Sequence, residues 1–340
     1  MGVRQSTVAD VDGGARDLRA LVTGARGFGG AWLARVLLEA GVEVTSLDRE
    51  GDEPTGLQLH GIAREVHDVV GDLRDRELVL RLLRDRSIDA VFHLAAQPIV
   101  GDANASPVPT FEANVAGTWD LLECCREAGV GQVVVASSDK AYGPHADLPY
   151  TEGSALQPVF PYDVSKAAAD LIARSYWHTY GLPVAATRFA NLYGGGDRNF
   201  SRLIPETVSA LLDGRRPVIR SDGSPERDFL YVEDAARAYV ELAAALADGR
   251  GGGEAFNAGS GRPHAVREVV ELICELGPGE IEPDYQGTGN PSGEIERQYL
   301  DSTKIREQIG WEPRIDLREG IERTLEWYAA HPEIRAAPRT

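Results

Sequence analysis

Two short segments of the chain contain residue types that can move protons. In segment 162–166, "YDVSK", Tyr162 and Lys166 are four residues apart, which places them on one face of a helix. A phenol has a pKa of about 10 in water, and nearby positive charge such as an ammonium group would stabilise its phenolate. Tyr162 is therefore a candidate general base that removes a proton from a substrate hydroxyl.

The second segment places a hydroxyl, a carboxylate and an amine side by side, at Ser138, Asp139 and Lys140. They follow the apolar run 132–136, "QVVVA", which predicts a buried strand. Ligands of open α/β sheets bind at the carboxyl ends of such strands. Ser138 comes 24 residues before Tyr162, and its hydroxyl could share the proton of a substrate alcohol.

A glycine-rich turn near the start of the chain predicts a dinucleotide site. In "LVTGARGFGG" (21–30), Gly24, Gly27 and Gly30 follow a predicted strand and open a predicted helix. Gly24 permits the tight turn, Gly27 lets the backbone approach a pyrophosphate, and the helix N-terminus supplies unpaired N–H groups. Asp48 ends the second strand, 24 residues after Gly24, where its carboxylate can accept hydrogen bonds from both ribose hydroxyls of NAD.

Residues near this turn leave alternatives open. Asp48 would repel the 2′-phosphate of NADP and so favours NAD, whereas the guanidinium of Arg49 could favour that phosphate. Asp72, in "GDLRD" after the third strand, suits either the adenine edge or a helix N-cap. His93 ends a fourth strand with no Cys or second His nearby, which favours a structural histidine over a metal ligand or an acid.

The elements that would position these residues alternate along the chain. From Leu18 onward, short apolar runs such as "RALVTG" and "DAVFHLAA" alternate with amphipathic stretches such as "RELVLRLLRDRS". This alternation predicts βαβ units and a parallel sheet. We therefore expect an α/β fold, with a Rossmann-type doubly wound parallel sheet and a smaller, discontinuous C-terminal lobe that binds the substrate.

The predicted division of the chain has three parts. Residues 1–17 are interpreted as a disordered leader, and residues 18–192 as the dinucleotide-binding Rossmann domain. After Asn191 the chain becomes richer in Gly, Arg and Pro, so residues 193–335 are expected to form mainly the second lobe. Later segments around 228–260 are expected to return to the first domain.

Composition argues against several classes of partner. A formal net charge of −18 at pH 7 argues against nucleic acid and anionic membranes, since neither polyanion is attracted to an acidic surface. No apolar run approaches the length of a membrane span, and the N-terminus lacks the apolar core of a signal peptide. The three cysteines, Cys124, Cys125 and Cys274, form no disulfide or metal pattern, which is typical of a reducing cytoplasm.

Taken together, these motifs resemble the extended short-chain dehydrogenase/reductase family. Beyond the glycine turn and the Ser, Tyr and Lys set, the resemblance includes "NVAGT" (114–118), "RFANLYG" (188–194) and "RDFLYVEDAARA" (227–238). It extends from Arg19 to about Tyr328. It implies NAD as the cofactor and a nucleoside-diphosphate sugar as the substrate, whose diphosphate is held by basic residues of the second lobe.

The resemblance and the motifs define the predicted binding residues. The predicted cofactor site consists of Gly24, Gly27, Phe28, Gly30, Asp48, Arg49, Asp72, Leu73, Leu94, Ala95, Ala96, Asn114, Tyr162 and Lys166. For the substrate, Arg227 matches the phosphate contact of the family, and Asn191, Arg202 and Arg297 are further candidates. No metal site is expected.

Asp139 narrows the resemblance to one reaction. Sugar epimerases of this family usually follow the catalytic Ser or Thr with small or apolar residues, whereas 4,6-dehydratases place an acid there. After oxidation at C4, a dehydratase must remove the C5 proton and protonate the departing C6 hydroxyl, and Asp139 resembles the C6 acid. That role requires a raised pKa, which burial beside the cofactor would supply.

Lys140 departs from the better-known dTDP-glucose 4,6-dehydratases, in which the next residue is a Glu that takes the C5 proton. The Asp-Lys pair and the later "GEIERQYLDSTK" (293–304) resemble the CDP-glucose 4,6-dehydratase branch instead. Lys140 is either the C5 base in its neutral form, which requires a pKa lowered by desolvation, or an ion-pair partner that holds Asp139 in place. The predicted activity is NAD-dependent dehydration of a nucleoside-diphosphate hexose to the 4-keto-6-deoxy sugar nucleotide. The first candidate for the substrate is CDP-glucose.

Three other functions are compatible with parts of this pattern. A 4-epimerase would use Ser138 and Tyr162 alone, with Asp139 and Lys140 as a structural ion pair. A decarboxylase would act on a sugar uronate. A non-catalytic dinucleotide sensor would bind NAD without needing a phenolate, so the Ser, Tyr and Lys set argues against it.

Two apolar helices bear on oligomeric state. The segments "TWDLLECCREAG" and "SKAAADLIARSYWHTYG" carry more apolar surface than one face of a sheet should cover. Members of the family often pair such helices into a four-helix interface, so we expect a homodimer. The alternative is a fully intramolecular core.

Overall fold

The central element of the computed structural model, which describes residues 18–51, 53–288 and 295–335, is a sheet of seven parallel strands. In chain order they are β1 (Arg19–Thr23), β2 (Glu43–Asp48), β3 (His67–Val70), β4 (Ala90–His93), β5 (Gln132–Ala136), β6 (Val184–Phe189) and β10 (Ala255–Ala258). Across the sheet the order is β10-β6-β5-β4-β1-β2-β3, so strand addition reverses direction beside β1. This order is doubly wound and confirms the predicted Rossmann-type fold class. The predicted leader, residues 1–17, lies outside the described residues.

Helices cover both faces of the sheet, because successive side chains of a strand point to opposite faces. In β5, Val134 packs into a core with side chains of α1 (Phe28–Glu39) and α9 (Val232–Ala247). Val133 and Val135 pack into a second core. That core also contains side chains of α3 (Arg76–Asp85), α6 (Gly117–Ala128) and α7 (Pro161–Tyr180). Short helices α2 (Gly56–Leu59), α4 (Val100–Ala105) and α5 (Pro107–Phe111) lie in the connections, and a π-helical stretch, Glu112–Ala116, leads into α6.

A second lobe has its own sheets and core. Its strands are β7 (Asn191–Tyr193), β8 (Val218–Ile219), β9 (Glu226–Tyr231), β11 (Pro263–Ala265), β12 (Asp284–Tyr285) and β13 (Arg297–Gln298). Strand β9 pairs with β7, β11 and β13, while β8 pairs with β12. Its helices are α8 (Leu203–Leu212), α10 (Val266–Leu276) and α12 (Leu317–Ala330), and α11 (Thr303–Ile309) packs against β10. Buried side chains such as Ile204, Ile273 and Ile321 form the core of the lobe.

A cleft of about 1470 Å³ lies where the two lobes meet. One wall is formed by residues at the carboxyl ends of sheet strands, such as Gly24, Asp48 and Ser138, and the other by residues after β6, such as Asn191 and Arg202. This is the edge where doubly wound sheets bind ligands. None of the helices in the described part of the chain has the length and apolar composition needed to cross a bilayer.

Candidate active site

The glycine turn after β1 forms one end of the cleft. Gly24 has a φ of +81°, and a Cβ there would lie 2.7 Å from the backbone N of Ala95, so only glycine fits. A Cβ on Gly30 would lie 2.1 Å from the carbonyl oxygen of Gly24, so this glycine lets α1 approach the turn. Gly27 caps α1 without a side-chain hydrogen bond. The first N–H groups of α1 are thus available to an anion.

Asp48 supplies an unpaired acceptor at the end of β2. Its Oδ2 atom is buried and has no hydrogen-bond partner among the described residues. Burial raises the pKa of this carboxyl to about 7, and the backbone N–H of Arg26 opposes the shift. A pair of ribose hydroxyls would donate to this carboxylate and satisfy its unpaired oxygen. Together with the glycine turn, this orphaned oxygen shows that the residues present fit NAD.

Most of the other predicted cofactor residues line the same cleft. They are Phe28, Arg49, Asp72, Leu73, Leu94, Ala95 and Ala96. The carboxylate of Asp72 accepts a hydrogen bond from the backbone N–H of Arg74 at 2.9 Å. Helix α3 is instead capped by Asp75, whose Oδ1 accepts from the N–H of Leu78 at 3.0 Å. The alternative interpretation of Asp72 as an N-cap is therefore wrong.

Asn114 does not line the cleft, contrary to the prediction. Its side chain is buried, its Oδ1 accepts from the backbone N–H of Gln97 at 2.7 Å, and its Nδ2 donates to Ser165 Oγ at 2.9 Å. Ser165 Oγ in turn donates to the carbonyl of Tyr162 at 2.7 Å. Asn114 therefore supports the first turn of α7, and both of its side-chain polar atoms are occupied inside the protein.

His93 has a structural environment, and its tautomer follows from its partners. Thr118 Oγ1 donates to the carbonyl of Asn114 at 2.6 Å, so it accepts from His93 Nε2–H at 2.9 Å. His93 Nδ1 then accepts from Thr23 Oγ1 at 2.8 Å. Burial lowers the pKa of His93 to about 3, so the ring stays neutral and links β4 to β1 and α6.

Tyr162 and Lys166 lie on the first turns of α7, and α7 is tied to the end of β5. Lys166 Nζ donates to the carbonyl of Ala136 at 2.9 Å, while Ser137 Oγ donates to the carbonyl of Lys166 at 3.0 Å. Burial lowers the pKa of the Lys166 ammonium to about 8. Its Nζ lies 6.0 Å from the centroid of the Tyr162 ring.

The protein by itself does not lower the pKa of the Tyr162 phenol. Burial raises its pKa to about 12, and the carboxylates of Asp139 and Asp163 act in the same direction. The guanidinium of Arg202 and the side chain of Ser138 act in the opposite direction. Positive charge beside the ring therefore determines whether Tyr162 can work as a base.

Asp139 opens a 3₁₀ turn, Asp139–Tyr142, at the end of β5. Ser138 caps this turn: its Oγ accepts from the N–H of Lys140 at 3.2 Å and donates to Asp139 Oδ1 at 3.0 Å. Asp139 is only 3% exposed, and its Oδ2 has no hydrogen-bond partner in the described part of the chain. Burial raises the pKa of this carboxyl, and the charges of Lys140 and Arg227 oppose the shift. A carboxyl with a raised pKa keeps its proton to a higher pH than an exposed one, which suits the role of an acid.

The charge of Lys140 acts on two buried carboxyl groups, Asp139 and Asp163. Within residues 18–51, 53–288 and 295–335, no carboxylate oxygen lies within 4.0 Å of its ammonium, so the proposed ion pair with Asp139 is not formed. Its charge nevertheless opposes the rise that burial causes in the pKa of both Asp139 and Asp163. Asp163 is 5% exposed, and burial raises its pKa to about 6. The sequence analysis missed this third group, although it stands inside the "YDVSK" segment.

The four predicted substrate residues separate into two pairs. Asn191 and Arg202 line the cleft, and Arg202 Nη1 pairs with Asp197 Oδ2 at 3.1 Å. Arg227 does not line the cavity and donates to the carbonyls of Glu226 and Glu296. Its charge nevertheless acts to lower the pKa of Asp139. Arg297 is exposed and pairs with Glu226 away from the lining residues, so the structure does not bring it to the site.

Several basic residues of the lining were not predicted. Arg26, inside the glycine turn, forms an ion pair with Asp68 at 2.7 Å, and its backbone N–H hydrogen-bonds Asp48. Arg198 and Arg220 reach the cleft from the second lobe. The signal available in the sequence is the arginine-rich composition of segment 198–220, which does not show which guanidinium faces the cavity.

Comparison with known proteins identifies the class. The family described as "NAD dependent epimerase/dehydratase family" matches residues 20–259, and the chain belongs to it. The predicted cofactor, NAD, is the cofactor of this family.

Particular relatives are named as dehydratases and as epimerases. The chain is 34% identical to dTDP-glucose 4,6-dehydratase of Xanthomonas campestris pv. campestris, with 91% of this chain and 92% of that protein covered. A dTDP-glucose 4,6-dehydratase of Streptomyces venezuelae, solved with NAD bound, is 34% identical with a TM-score of 0.83, covering 93% of this chain and 98% of that one. UDP-glucose 4-epimerase of Thermotoga maritima, solved with UDP-glucose, is 29% identical with a TM-score of 0.85, covering 93% of this chain and 100% of that one.

Proposed function

We propose that the protein is a nucleotide-sugar 4,6-dehydratase that converts a nucleoside-diphosphate hexose into its 4-keto-6-deoxy derivative. The observation that carries this proposal is Asp139. It is a buried carboxyl in the cleft with a raised pKa and one oxygen that has no partner among the described residues, directly beside the Ser138 hydroxyl. A dehydratase needs a proton donor for the C6 hydroxyl, whereas an epimerase does not.

Tyr162 removes the first proton in the proposed reaction. Its phenolate takes the proton of the C4 hydroxyl, and Ser138 hydrogen-bonds the same oxygen. Lys166, held by the Ala136 carbonyl, places positive charge beside the phenol ring. The glycine turn and Asp48 would hold NAD, which would accept hydride from C4 and return it to C6 within one turnover. The carbon skeleton therefore undergoes no net change of oxidation state.

Asp139 and Lys140 then act on C6 and C5. The C4 ketone acidifies the C5–H bond, and the Lys140 amine takes that proton. Protonated Asp139 donates to the C6 oxygen, the C6–O bond breaks, and water leaves. Lys140 returns its proton to C5 when C6 has received hydride. At the end of the turnover Tyr162 is protonated and Asp139 is ionised. Transfer of one proton from Tyr162 to Asp139 through solvent restores the starting state.

CDP-glucose is the proposed substrate. The Asp-Lys pair and segment 293–304 support this choice, as does the absence of an ion pair between Lys140 and Asp139 within the described residues, which leaves the amine available. The related proteins named above are dTDP-glucose and UDP-glucose enzymes. The base of the nucleotide is therefore the part of the proposal that most needs a direct test.

The epimerase is the second candidate, because the epimerase of Thermotoga maritima has a TM-score of 0.85 against this chain. Ser138, Tyr162 and Lys166 suffice for transient C4 oxidation. Under this candidate Asp139 and Lys140 take no part in proton transfer.

A mass-spectrometric panel distinguishes these activities. The NAD-loaded protein is incubated with CDP-, dTDP-, UDP- and GDP-hexoses and hexuronates without added reductant. Loss of one water from one member supports the dehydratase and identifies its nucleotide. Loss of carbon dioxide indicates a decarboxylase, and unchanged mass with changed chromatographic mobility indicates an epimerase. Tyr162→Phe should remove every activity, whereas Tyr285→Phe in the second lobe should not.

We also propose a homodimer formed by α6 and α7. Exposed apolar side chains concentrate on and around these helices, namely Val108, Phe111, Trp119, Val159, Leu171 and Tyr180. Light scattering should give a dimer mass, and Leu171→Glu should give a monomer because it would bury a charge in the interface. A monomeric mass for the unaltered protein would remove this proposal. We further propose a cytoplasmic location, which the free, buried thiols of Cys124 and Cys125 support.

A further inference from the structure

A buried polar network joins the 3₁₀ turn that carries Asp139 to the helix that carries Tyr162. Its centre is Arg188 of β6, whose side chain is 1% exposed. Arg188 donates through Nε and Nη2 to both carboxylate oxygens of Asp170, at 2.8 and 2.9 Å. Through Nη1 it donates to the hydroxyl of Tyr142 at 3.0 Å. The Tyr142 hydroxyl donates onward to Asn257 Oδ1 at 2.7 Å.

The two ends of this network are adjacent to the two halves of the site. Tyr142 is the last residue of the 3₁₀ turn that begins with Asp139 and Lys140. Asp170 lies one helical turn beyond Lys166 on α7 and two turns beyond Tyr162. Arg188 therefore links the C5 and C6 proton-transfer groups to the C4 base through two side chains.

The Tyr142 hydroxyl is hydrogen-bonded inside the protein and does not face the cleft. It accepts from Arg188 and donates to Asn257, and the ring stacks on Tyr150 with centroids 4.8 Å apart. Tyr142 is fully buried and is not among the residues that line the cleft. Removing the hydroxyl would leave Arg188 Nη1–H and Asn257 Oδ1 without this partner in a buried environment, which favours a shift of the turn.

Networks of this kind are not explained by stability alone. Burying an arginine and a carboxylate carries a large desolvation cost, so apolar residues of similar volume would often give an equally stable core. What the network supplies is geometry, because bidentate pairing of Arg188 with Asp170 defines the direction of the guanidinium. That direction in turn defines where the Tyr142 hydroxyl lies.

We propose that Tyr142 is a positioning residue. Its hydroxyl, held between Arg188 and Asn257, keeps Asp139 and Lys140 correctly placed relative to Tyr162. The proposal rests on the dehydratase function proposed above. Elimination requires groups at C4, C5 and C6 to act on one bound sugar, and a displacement of about 1 Å can cost about a hundredfold in rate. Oxidation at C4 uses Tyr162 and Lys166 of α7 together with Ser138, which precedes the turn, and it does not use Asp139 or Lys140 as proton-transfer groups.

The test compares Tyr142→Phe with Tyr193→Phe in NAD-loaded protein. Tyr193 is a matched control, because it is also buried and donates its hydroxyl to a carbonyl, that of Asp316, in the core of the second lobe. Three quantities are measured with the sugar nucleotide identified by the panel: appearance of reduced nicotinamide, exchange of the C5 proton in deuterated water, and loss of water. Tyr142→Phe keeps the ring that fills the core, and its thermal unfolding is recorded beside the control.

We expect Tyr142→Phe to slow C5 exchange and water loss by about tenfold or more while reduced nicotinamide appears at the normal rate and accumulates. As the pH is raised, water loss by this variant should also decline at a lower pH than in the unaltered protein. A displaced Asp139 is better solvated, so its pKa is lower and it loses its proton sooner. Equal slowing of all three steps, or no change in any, would overturn the positioning role. Water loss that fails in the unaltered protein would overturn the dehydratase itself, which is a separate and recognisable outcome.

Discussion

Replacement of Asp139 by Asn tests the proposed chemistry most directly. The amide is nearly isosteric with the carboxyl, so the Ser138 hydroxyl can still donate to Oδ1 and the 3₁₀ turn keeps its cap. An amide cannot deliver a proton to the C6 oxygen. The change therefore removes the acid while it preserves the packing of a side chain that is 3% exposed.

The size of the effect follows from the role assigned to the residue. A positioned general acid contributes about 10²- to 10⁴-fold, so water loss should slow by that factor, which is about 3 to 5 kcal/mol of activation free energy. Oxidation at C4 should persist. At pH values where Asp139 of the unaltered protein is ionised, this oxidation should begin at lower pH in the variant, because the Asp139 carboxylate raises the pKa of Tyr162 and the amide does not.

A single-turnover experiment separates the two steps. Reduced nicotinamide is followed by absorbance and the sugar product by mass spectrometry, with Asp85→Asn, an exposed acid on α3, as the control. The expected result is accumulation of reduced nicotinamide with no loss of water. Water loss within about tenfold of the unaltered protein would refute Asp139 as the C6 acid.

Three further predictions concern binding, base strength and stability. Because burial raises the pKa of Asp48 to about 7, NAD affinity should weaken as the pH falls from 8 to 6. Calorimetric titration of Asp48→Asn should show weaker NAD binding without that pH dependence. Lys166→Met should slow C4 oxidation by about a hundredfold or more and move the acidic limb of its stopped-flow pH profile, which reports ionisation of Tyr162, to higher pH, since positive charge beside the phenol is lost. Burial raises the folded-state pKa of Asp163 to about 6, above its ordinary value, so its contribution to stability is present at low pH and is lost as the pH rises through 6. Asp163→Asn should therefore raise the free energy of unfolding at pH 8 by up to about 3 kcal/mol in denaturant titrations. An unchanged or lower unfolding free energy at pH 8 would contradict that last expectation.

The sequence by itself was sufficient to predict the local features of the fold and site. Apolar runs and amphipathic stretches predicted the strands and helices of the first domain, because hydrophobic periodicity is a property of neighbouring residues. The glycine turn was predictable for a similar reason, since a positive φ at Gly24 and the contact between Gly24 and Gly30 arise within seven residues. The positions of Ser138 and Asp48 followed from the rule that residues after parallel strands share one edge of the sheet.

Only the tertiary structure decided which polar side chains face the cleft. Asn114 belongs to a matching motif, yet it is turned inward by Ser165, 51 residues away. Arg297 is occupied by Glu226, 71 residues away, while the unpredicted Arg220 lines the cavity. The link from Tyr142 through Arg188 to Asp170 joins three separate elements and has no counterpart in any single segment. The physical reason is that burial, desolvation and side-chain pairing are set by contacts between residues distant in the chain, which spacing along the sequence does not specify.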